Sequence, residues 1–292
     1  MPRSRSQVCH DSTLRTRFPI RMMCRLLRVS PSGYYAKQRR GLSLRAKANA
    51  QLGQELHAIY TEHDGIYGSP KMWQELQTRG QPCGPHRVAR LMKREGLQGI
   101  PSRKRWRHRK SGDRPQDVMN HLARDFGAET ANTKWGTDIT YIRTDEGWLY
   151  LAVGLDLFSR QVIGWAMQPH LGRELAIQAV RMAVGQRTTT AVVVLHSDRG
   201  TQYTAEEFQA FLKTHGIVSS MSGVGNCYDN AVAESFFGLL KRERVHRRRY
   251  QTRAEARADV FDYIEGFYNG QRSHSFTQGV APRRFVERYH QE

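Results

Sequence analysis

The chain has 292 residues, of which 39% are hydrophobic and 25% charged, so it is long enough for two domains with a buried core. It contains no apolar run of roughly 18 residues, which argues against a membrane-spanning helix. Its four cysteines are scattered without a Cys-x-x-Cys pair, which argues against a zinc site and a disulfide framework. We therefore expect a soluble intracellular protein without a membrane partner.

The positive charge is concentrated in the first half of the chain. The formal net charge is +19. Residues 1–131 hold 26 Lys/Arg and 10 Asp/Glu, a net +16, whereas residues 132–292 hold 20 and 17, a net +3. An excess of this size and asymmetry favours a polyanionic partner, most often nucleic acid. The alternative is a solvated basic surface on a protein with another task.

The N-terminal region reads as short helices separated by turns. We predict a basic helical segment over 1–50 and a helix-turn-helix-like DNA-binding domain over 51–100, because Ser69-Pro70 and Gly84-Pro85 each open an apolar-spaced run. The second helix of such a motif lies in the major groove. Its candidate DNA contacts here are Arg87, Arg90, Lys93 and Arg94. A small helical domain with a solvated basic face would show the same pattern.

Residues 101–131 are predicted to be a basic linker. The stretch "SRKRWRHRK" at 102–110 has six Lys/Arg and one Trp. Basic side chains pair with phosphates and an aromatic ring stacks on a base. We therefore expect DNA contacts from Arg103, Lys104, Arg105 and Trp106.

Residues 132–292 have the pattern of an α/β domain with a C-terminal helical tail. Three predicted strands come first, and strands then alternate with helices: a helix near 173–185, a buried strand in "AVVVLHSD", a helix near 205–215 and a short strand at 217–221. This order favours a mixed sheet covered by helices.

Three carboxylates stand at unusual places in this domain. Asp138 falls within a predicted strand, Asp198 ends the buried strand, and Glu234 lies inside an apolar-spaced helical run, where we expect it to face inward. A buried charge is costly unless it is paired or bound to metal. Three converging acids would suit two Mg²⁺ or Mn²⁺ ions about 3.5–4 Å apart, an arrangement that activates a nucleophile at phosphorus. Taken singly, each acid is more simply a turn or surface residue.

The spacing and the surrounding words carry a specific resemblance. Asp198 and Glu234 are separated by 35 residues. With Asp138, this spacing resembles the Asp, Asp, thirty-five residues, Glu signature of the retroviral-integrase superfamily. The following segments resemble the downstream reading-frame product of two-frame bacterial insertion-sequence transposases: "MCRLLRVSPSGYYA", "HDGIYGSPKMWQEL", "WGTDITYI", "LYLAVGLDLFSRQVIGW", "LHSDRGTQYTAEEF", "MSGVGNCYDNAVAESFFGLLKRE" and "FYNGQRSHSFTQGVAP".

The resemblance implies a ribonuclease-H-like catalytic core over 132–292 and a DNA transposase. It implies hydrolysis at the element's 3′ ends, followed by attack of each 3′-hydroxyl on another phosphodiester. Asp138, Asp198 and Glu234 would be the metal-binding catalytic acids, with two Mg²⁺ ions for which Mn²⁺ substitutes, and Lys241 would contact the element's end. Further implications are double-stranded DNA as partner, a homo-oligomer on that DNA, a nucleoid-associated cytoplasmic location, and action alone or with an upstream-frame product.

Three further residues are weaker candidates. Arg199 either contacts DNA or orders the loop after its strand, His196 would support the neighbouring acid from behind, and Asn230 would cap the helix that carries Glu234. Two rival functions share these residues. One is a structure-selective nuclease on the same fold, and the other is a catalytically silent DNA-binding regulator of transposition.

Overall fold

A computed structural model of the chain describes residues 17–39, 41–101, 128–187, 191–222 and 231–291. Within these ranges, no helix combines the length and the apolar character needed to cross a membrane.

The described N-terminal part is entirely helical. Its helices are α1 (Ile20–Leu26), α2 (Pro31–Arg39), α3 (Leu44–Glu62), α4 (Ser69–Thr78) and α5 (Pro85–Arg94). The side chain of Ser43 caps α3 by accepting a hydrogen bond from the Ala46 amide. One face of α3 is buried through Leu52, Leu56 and Ile59, as its helical spacing predicts.

Helices α4 and α5 form the predicted helix-turn-helix-like pair. Each has a proline in its first turn, where the missing amide hydrogen costs nothing. The turn between them is fixed by Trp73, whose indole nitrogen donates to the Cys83 carbonyl at 2.8 Å. Gly96 follows α5 with a φ of 72°, a conformation that glycine adopts without strain and that ends the helix.

The C-terminal part is built on a five-stranded mixed sheet with the order β3-β2-β1-β4-β5. Its strands are β1 (Lys134–Thr144), β2 (Gly147–Asp156), β3 (Val162–Gln168), β4 (Val193–Ser197) and β5 (Ile217–Met221). β1, β2 and β3 are antiparallel neighbours, whereas β4 runs parallel to both β1 and β5. The predicted mixed sheet is thereby confirmed.

Helices cover both faces of this sheet. They are α6 (Arg173–Gly185), α7 (Thr201–Thr204), α8 (Glu206–Thr214), α9 (Ala231–Glu243), α10 (Arg253–Phe261) and α11 (Pro282–Tyr289). A 3₁₀ turn, Val245–Arg247, follows α9, and a π-helical stretch, Asp262–Tyr268, continues α10. One face of the sheet packs with α6 and α8 in a cluster around Trp135, and the other packs with α9 and α10.

The helical part and the sheet part share one apolar core. Leu56 and Met72 belong to the same buried cluster as Phe236 and Ile264. Polar contacts reinforce the packing: Lys71 Nζ donates to the Ser273 carbonyl at 2.8 Å, and the Ser273 amide donates to the Tyr67 hydroxyl at 2.8 Å. The helix-turn-helix-like region is therefore docked against the segment that follows the π-helical stretch.

Candidate active site

Two of the three predicted acids lie side by side because β1 and β4 are parallel and in register. Gly136 pairs with His196. Asp138 and Asp198 each follow that pair by two residues, so both lie near the C-terminal end of β4, in the middle of the sheet. Asp138 is half-buried inside β1, and Asp198 is exposed just after the end of β4.

Backbone amides hold both aspartates. The Ile139 amide donates to Asp138 Oδ1 at 2.8 Å, and the Gly200 amide donates to Asp198 Oδ1 at 2.9 Å. Gly200 also keeps this loop close to the acid, since a Cβ at that position would lie 3.0 Å from Asp198 Oδ1. Each carboxylate therefore has one oxygen fixed by its own backbone, which orients the other.

Glu234 lies in the first turn of α9, and its side chain is exposed. The expectation that it faces the interior is wrong. With 3.6 residues per turn, the helix buries Ala233, Phe236, Phe237 and Leu240 and leaves position 234 on the adjacent, open stripe. In the sequence, Glu234 is flanked by the four apolar residues that the helix buries, and this pattern alone suggested that it shares their face.

The negative charges of Asp198 and Glu234 nevertheless act on the Asp138 carboxyl. The pKa of the Asp138 carboxyl is raised to about 7, chiefly by burial and to a smaller extent by the negative charges of Asp198 and Glu234. The Ile139 amide and the Lys241 ammonium oppose this shift. Burial also raises the pKa of Glu234. The structure thus places Asp138 where the charges of both other acids disfavour its ionisation.

As positioned, however, no three His, Cys, Asp or Glu side chains within the described ranges form a group that could hold a metal ion. The donor chemistry is still that of a hard-cation site, because every candidate ligand is a carboxylate oxygen. The described residues resume at Ala231, three residues before Glu234, after residues 223–230 that the structure does not describe.

Lys241 lies on α9 seven residues after Glu234, two turns along the helix. Its Nζ is 4.7 Å from the centre of the Tyr141 ring. Burial lowers the pKa of its ammonium, and the negative charge of Asp138 raises it. The lysine therefore lies within electrostatic reach of the acid cluster, beside an aromatic ring that sequence reasoning did not single out.

Two of the weaker candidates, His196 and Arg199, make hydrogen bonds close to Asp198. The ring nitrogens of His196 lie 3.0 and 3.1 Å from the hydroxyl oxygens of Ser220 and Ser222. The Arg199 Nε donates to the Ser222 carbonyl at 2.8 Å. Both residues thus tie the end of β4 to β5, and their predicted roles toward metal and DNA stay predictions. Asn230 lies outside the described residues.

The four basic residues of α5 differ in their surroundings. Arg87 donates from Nε to Asn49 Oδ1 at 2.9 Å, and Arg94 makes two hydrogen bonds to Glu95 Oε1. Arg90 and Lys93 are exposed. Their predicted contact with DNA remains a prediction, and Arg90 and Lys93 are the two best placed for it. Arg103, Lys104, Arg105 and Trp106 lie outside the described residues.

Known protein families match most of this chain. An integrase core domain matches residues 128–227, a second integrase core domain matches residues 234–288, and an HTH-like domain matches residues 47–105. The three predicted acids fall within the two integrase core matches. The resemblance to integrases and the helix-turn-helix-like assignment are thereby confirmed, whereas the exact domain boundaries stay predictions.

Two bacterial relatives agree with these matches. Transposase InsF for insertion sequence IS3A of Escherichia coli K12 is 43% identical, covering 92% of this chain and 94% of its own length. An uncharacterised 31 kDa protein of insertion element IS600 from Shigella sonnei is 36% identical over 92% of this chain. The catalytic core of BIV integrase is 20% identical and covers 55% of this chain, with a TM-score of 0.42. The chain belongs to the IS3-type insertion-sequence transposases, polynucleotidyl transferases built on an integrase core.

Proposed function

We propose that Asp138, Asp198 and Glu234 are the catalytic carboxylates with which this transposase cuts and joins DNA. The reaction is hydrolysis of a phosphodiester at each 3′ end of the element, followed by transesterification of that 3′-hydroxyl into target DNA. The observation that carries the proposal is the convergence of negative charge on Asp138, from Asp198 on the next parallel strand and Glu234 on α9.

Membership of the integrase-core transposases indicates the use of a divalent metal ion. We propose two Mg²⁺ ions, for which Mn²⁺ substitutes, because an all-carboxylate donor set suits hard cations. Such ions, when bound, activate the attacking oxygen and neutralise charge on the phosphate. The acids fit this role because a cation would favour the ionised form of Asp138, which burial and the neighbouring charges of Asp198 and Glu234 disfavour.

The chain's own residues would orient the reaction. The amides of Ile139 and Gly200 fix one oxygen of each aspartate, which leaves the second oxygen as the candidate cation ligand. Lys241 lies within reach of the acids and would hold the phosphate beside the scissile bond. Holding the phosphate there places its reacting bond against the acids, where small displacements reduce the rate strongly.

The HTH-like domain and the transposase relatives support DNA binding. The finer assignment is ours: Arg90 and Lys93 of α5 contact the duplex of the element's ends, and the active form is a homo-oligomer that acts alone or with an upstream-frame product. A DNA-acting enzyme of this kind works in the bacterial cytoplasm, on the nucleoid.

The test is a cleavage and strand-transfer assay with labelled duplexes that carry the element's own ends. We expect Asp138→Asn, Asp198→Asn and Glu234→Gln each to lower both reactions at least about a hundredfold, since several kcal/mol of transition-state stabilisation are lost. DNA binding should stay near the wild-type value. Glu287→Gln, which changes an exposed carboxylate on α11, is the matched control and should leave both reactions unchanged.

The same assay separates the rival functions. Cleavage without joining would indicate a structure-selective nuclease, and binding without either reaction would indicate a regulator. Near-normal activity in any one of the three acid variants would remove that residue from the catalytic set.

A further inference from the structure

A cleft opens between the end of the β1–β2 hairpin and the segment that follows α9. Its volume is about 650 Å³, within the range of roughly 300–1,000 Å³ that is usual for ligand pockets. Its lining includes Tyr141, Arg143, Trp148, Lys241, Arg248 and Arg249. Thr144 and Tyr250 also belong to the lining, and they pair in an isolated bridge.

Two exposed aromatic rings form one wall of this cleft. Tyr141 is 57% exposed and Trp148 is 46% exposed. Tyr141 pairs with Tyr150 and Arg143 pairs with Trp148, so the two rings are diagonal neighbours on one face of the hairpin. Their centroids are 5.0 Å apart in an edge-to-face arrangement. A cross-strand aromatic pair stabilises a hairpin, but that role does not require both rings to face an open cleft.

The charged side chains of the lining are mostly basic. Arg143, Lys241, Arg248 and Arg249 contribute four positive charges against the single negative charge of Asp145. Arg249 is 85% exposed although it pairs with Asp145 at 3.2 Å, and Arg248 is half-exposed beside Asp259. Basic side chains around exposed aromatic rings are the usual construction of a surface that binds single-stranded nucleic acid.

The cleft begins where the acid cluster ends. Lys241 belongs to both, because its Nζ lies 4.7 Å from the Tyr141 ring centre and its charge acts on Asp138. β4 pairs with only the first three residues of β1, Lys134–Gly136, and Tyr141 lies beyond that paired part. A DNA strand that leaves the acids past Lys241 therefore meets the aromatic wall next.

We propose that this cleft binds unpaired nucleotides at the DNA end, with a base stacked on Trp148 or Tyr141 and the flanking phosphates on Arg248 and Arg249. The proposal rests on the proposed function, which puts a DNA end at the acids. Unpaired rather than duplex DNA is the expected occupant because a base offers its face to a side chain only after leaving the stack. Strand separation at the end would then be stabilised by the protein itself.

The experiment measures binding of the full chain, without divalent ions, to a labelled oligothymidylate and to a blunt duplex of the same length. A base–aromatic contact contributes about 1–3 kcal/mol, and 1.4 kcal/mol corresponds to tenfold in affinity. We therefore expect Trp148→Leu and Tyr141→Leu each to weaken single-strand binding about tenfold, with a change of less than about twofold on the duplex. Trp148→Phe should retain most of the affinity.

Two controls accompany these variants. Phe261→Leu removes an equally exposed ring, 53% exposed and packed on Trp165 away from the cleft, and should change neither affinity. Arg249→Ala should weaken the binding of both substrates, and added salt should reduce its difference from the wild type. Melting temperatures check that each variant is folded, and if Trp148→Leu is not, Tyr141→Leu and Trp148→Phe decide the question.

Equal losses on single strand and duplex would overturn the proposal in favour of a duplex groove, and no loss in a folded leucine variant would overturn it outright. An Asp198→Asn variant, measured for binding and for cleavage, keeps this result separate from the proposed function. If Asp198→Asn still cuts DNA, the catalytic assignment fails, whereas the cleft is judged by the binding data alone.

Discussion

Two aspartates of neighbouring strands show how the same residue type takes different roles. Asp156, at the end of β2, is buried and accepts hydrogen bonds from the Ser159 hydroxyl at 2.6 Å and the Asn132 amide at 3.1 Å. Burial raises the pKa of Asp156, and these donors oppose that shift. Asp138 instead accepts one bond from its neighbouring amide and faces two other acids. Asp156 therefore holds a turn, as its strand-end position predicts, and Asp138 is left for other chemistry.

Lys241 is expected to affect DNA cleavage far more than DNA affinity. Lys241→Ala should lower single-turnover cleavage at true ends by on the order of a hundredfold, because a misplacement of about 1 Å of the reacting phosphate has that effect. Bulk DNA affinity should fall only slightly, as for the loss of one phosphate contact. The measurement compares the cleavage rate and the dissociation constant of each protein on the same labelled end.

Arg242→Ala is the matched control, since it removes the same charge one residue further along α9. Arg247 is unsuitable, because its guanidinium donates to the Asp64 carbonyl at 3.1 Å and thereby joins the helical part to the sheet part. Equal effects of Lys241→Ala and Arg242→Ala on cleavage would mean that Lys241 is only one charge of a basic helix.

At the scale of elements, β3 and α6 approach so closely that only glycine fits between them. A Cβ at Gly164 would lie 2.7 Å from the Ala183 amide nitrogen, and closer still to the Ala179 carbonyl oxygen. Because backbone atoms give way less than side chains, Gly164→Ala should cost about 1–3 kcal/mol of unfolding free energy, or more. Gly185→Ala, where a Cβ meets nothing within 4 Å, should be neutral or slightly stabilising. Urea denaturation of both variants tests the contrast, and similar values would contradict the close approach.

Local signals were sufficient to predict most elements. Prolines at the first turns of α4 and α5, and the apolar run of β4, predict these elements within a residue or two of their observed bounds. The positions of Asp138 inside one strand and Asp198 at the end of another were also predictable from the apolar runs around them, whereas their catalytic role stays a prediction. The exposure of Glu234 was harder to predict. Its helix was correctly predicted, but the exposure of the side chain depends on which stripe of α9 packs on the sheet.

Non-local pairing sets the limit of such prediction. The cleft needs the register of β1 with β2 and the return of the chain to pair Thr144 with Tyr250. Neither feature leaves a local trace in the sequence. Tyr141 and Trp148 could have been noticed as aromatic residues flanking a tight hairpin turn, but nothing local shows that their rings meet.

At the scale of the whole molecule, a buried ion pair fastens the segment on which the helical part docks. Arg272 donates to both oxygens of Glu243, at 2.6 and 2.8 Å, and the Tyr263 hydroxyl donates to the same carboxylate at 2.8 Å. The carbonyl of the next residue, Ser273, accepts a hydrogen bond from Lys71, and its amide donates one to the Tyr67 hydroxyl of the helical part. The pair therefore connects α9, the π-helical stretch and the docked helices.

Breaking this pair should destabilise the whole chain. Arg272→Ala leaves Glu243 buried without its partner and should cost roughly 3–5 kcal/mol of unfolding free energy. Arg242→Ala removes a partly exposed arginine 3.8 Å from the same carboxylate and should cost less than about 1 kcal/mol. Denaturant unfolding, followed by fluorescence and by circular dichroism, measures both. A loss in Arg272→Ala no larger than in Arg242→Ala would contradict the buried role of the pair.

The same pair predicts a pH dependence of stability. Burial raises the pKa of Glu243, but the hydrogen bonds and charge of Arg272, with Tyr263, lower it by more, so the net pKa lies below its usual 4.5. The unfolded chain therefore binds more protons than the folded one as the pH falls through 4.5, and the stabilisation present above that pH is lost below it.

Glu243→Gln removes this titration, so the stability gap between wild type and Glu243→Gln should be widest above about pH 5 and narrow below about pH 4.5. Other carboxylates titrate in both proteins and cancel in the difference. Glu287→Gln, with an exposed carboxylate, should show no such gap at any pH. Urea midpoints and slopes measured from about pH 6 to about pH 3 give the curves, and a gap that stays constant over this range would show that Arg272 does not hold Glu243 ionised in the folded protein.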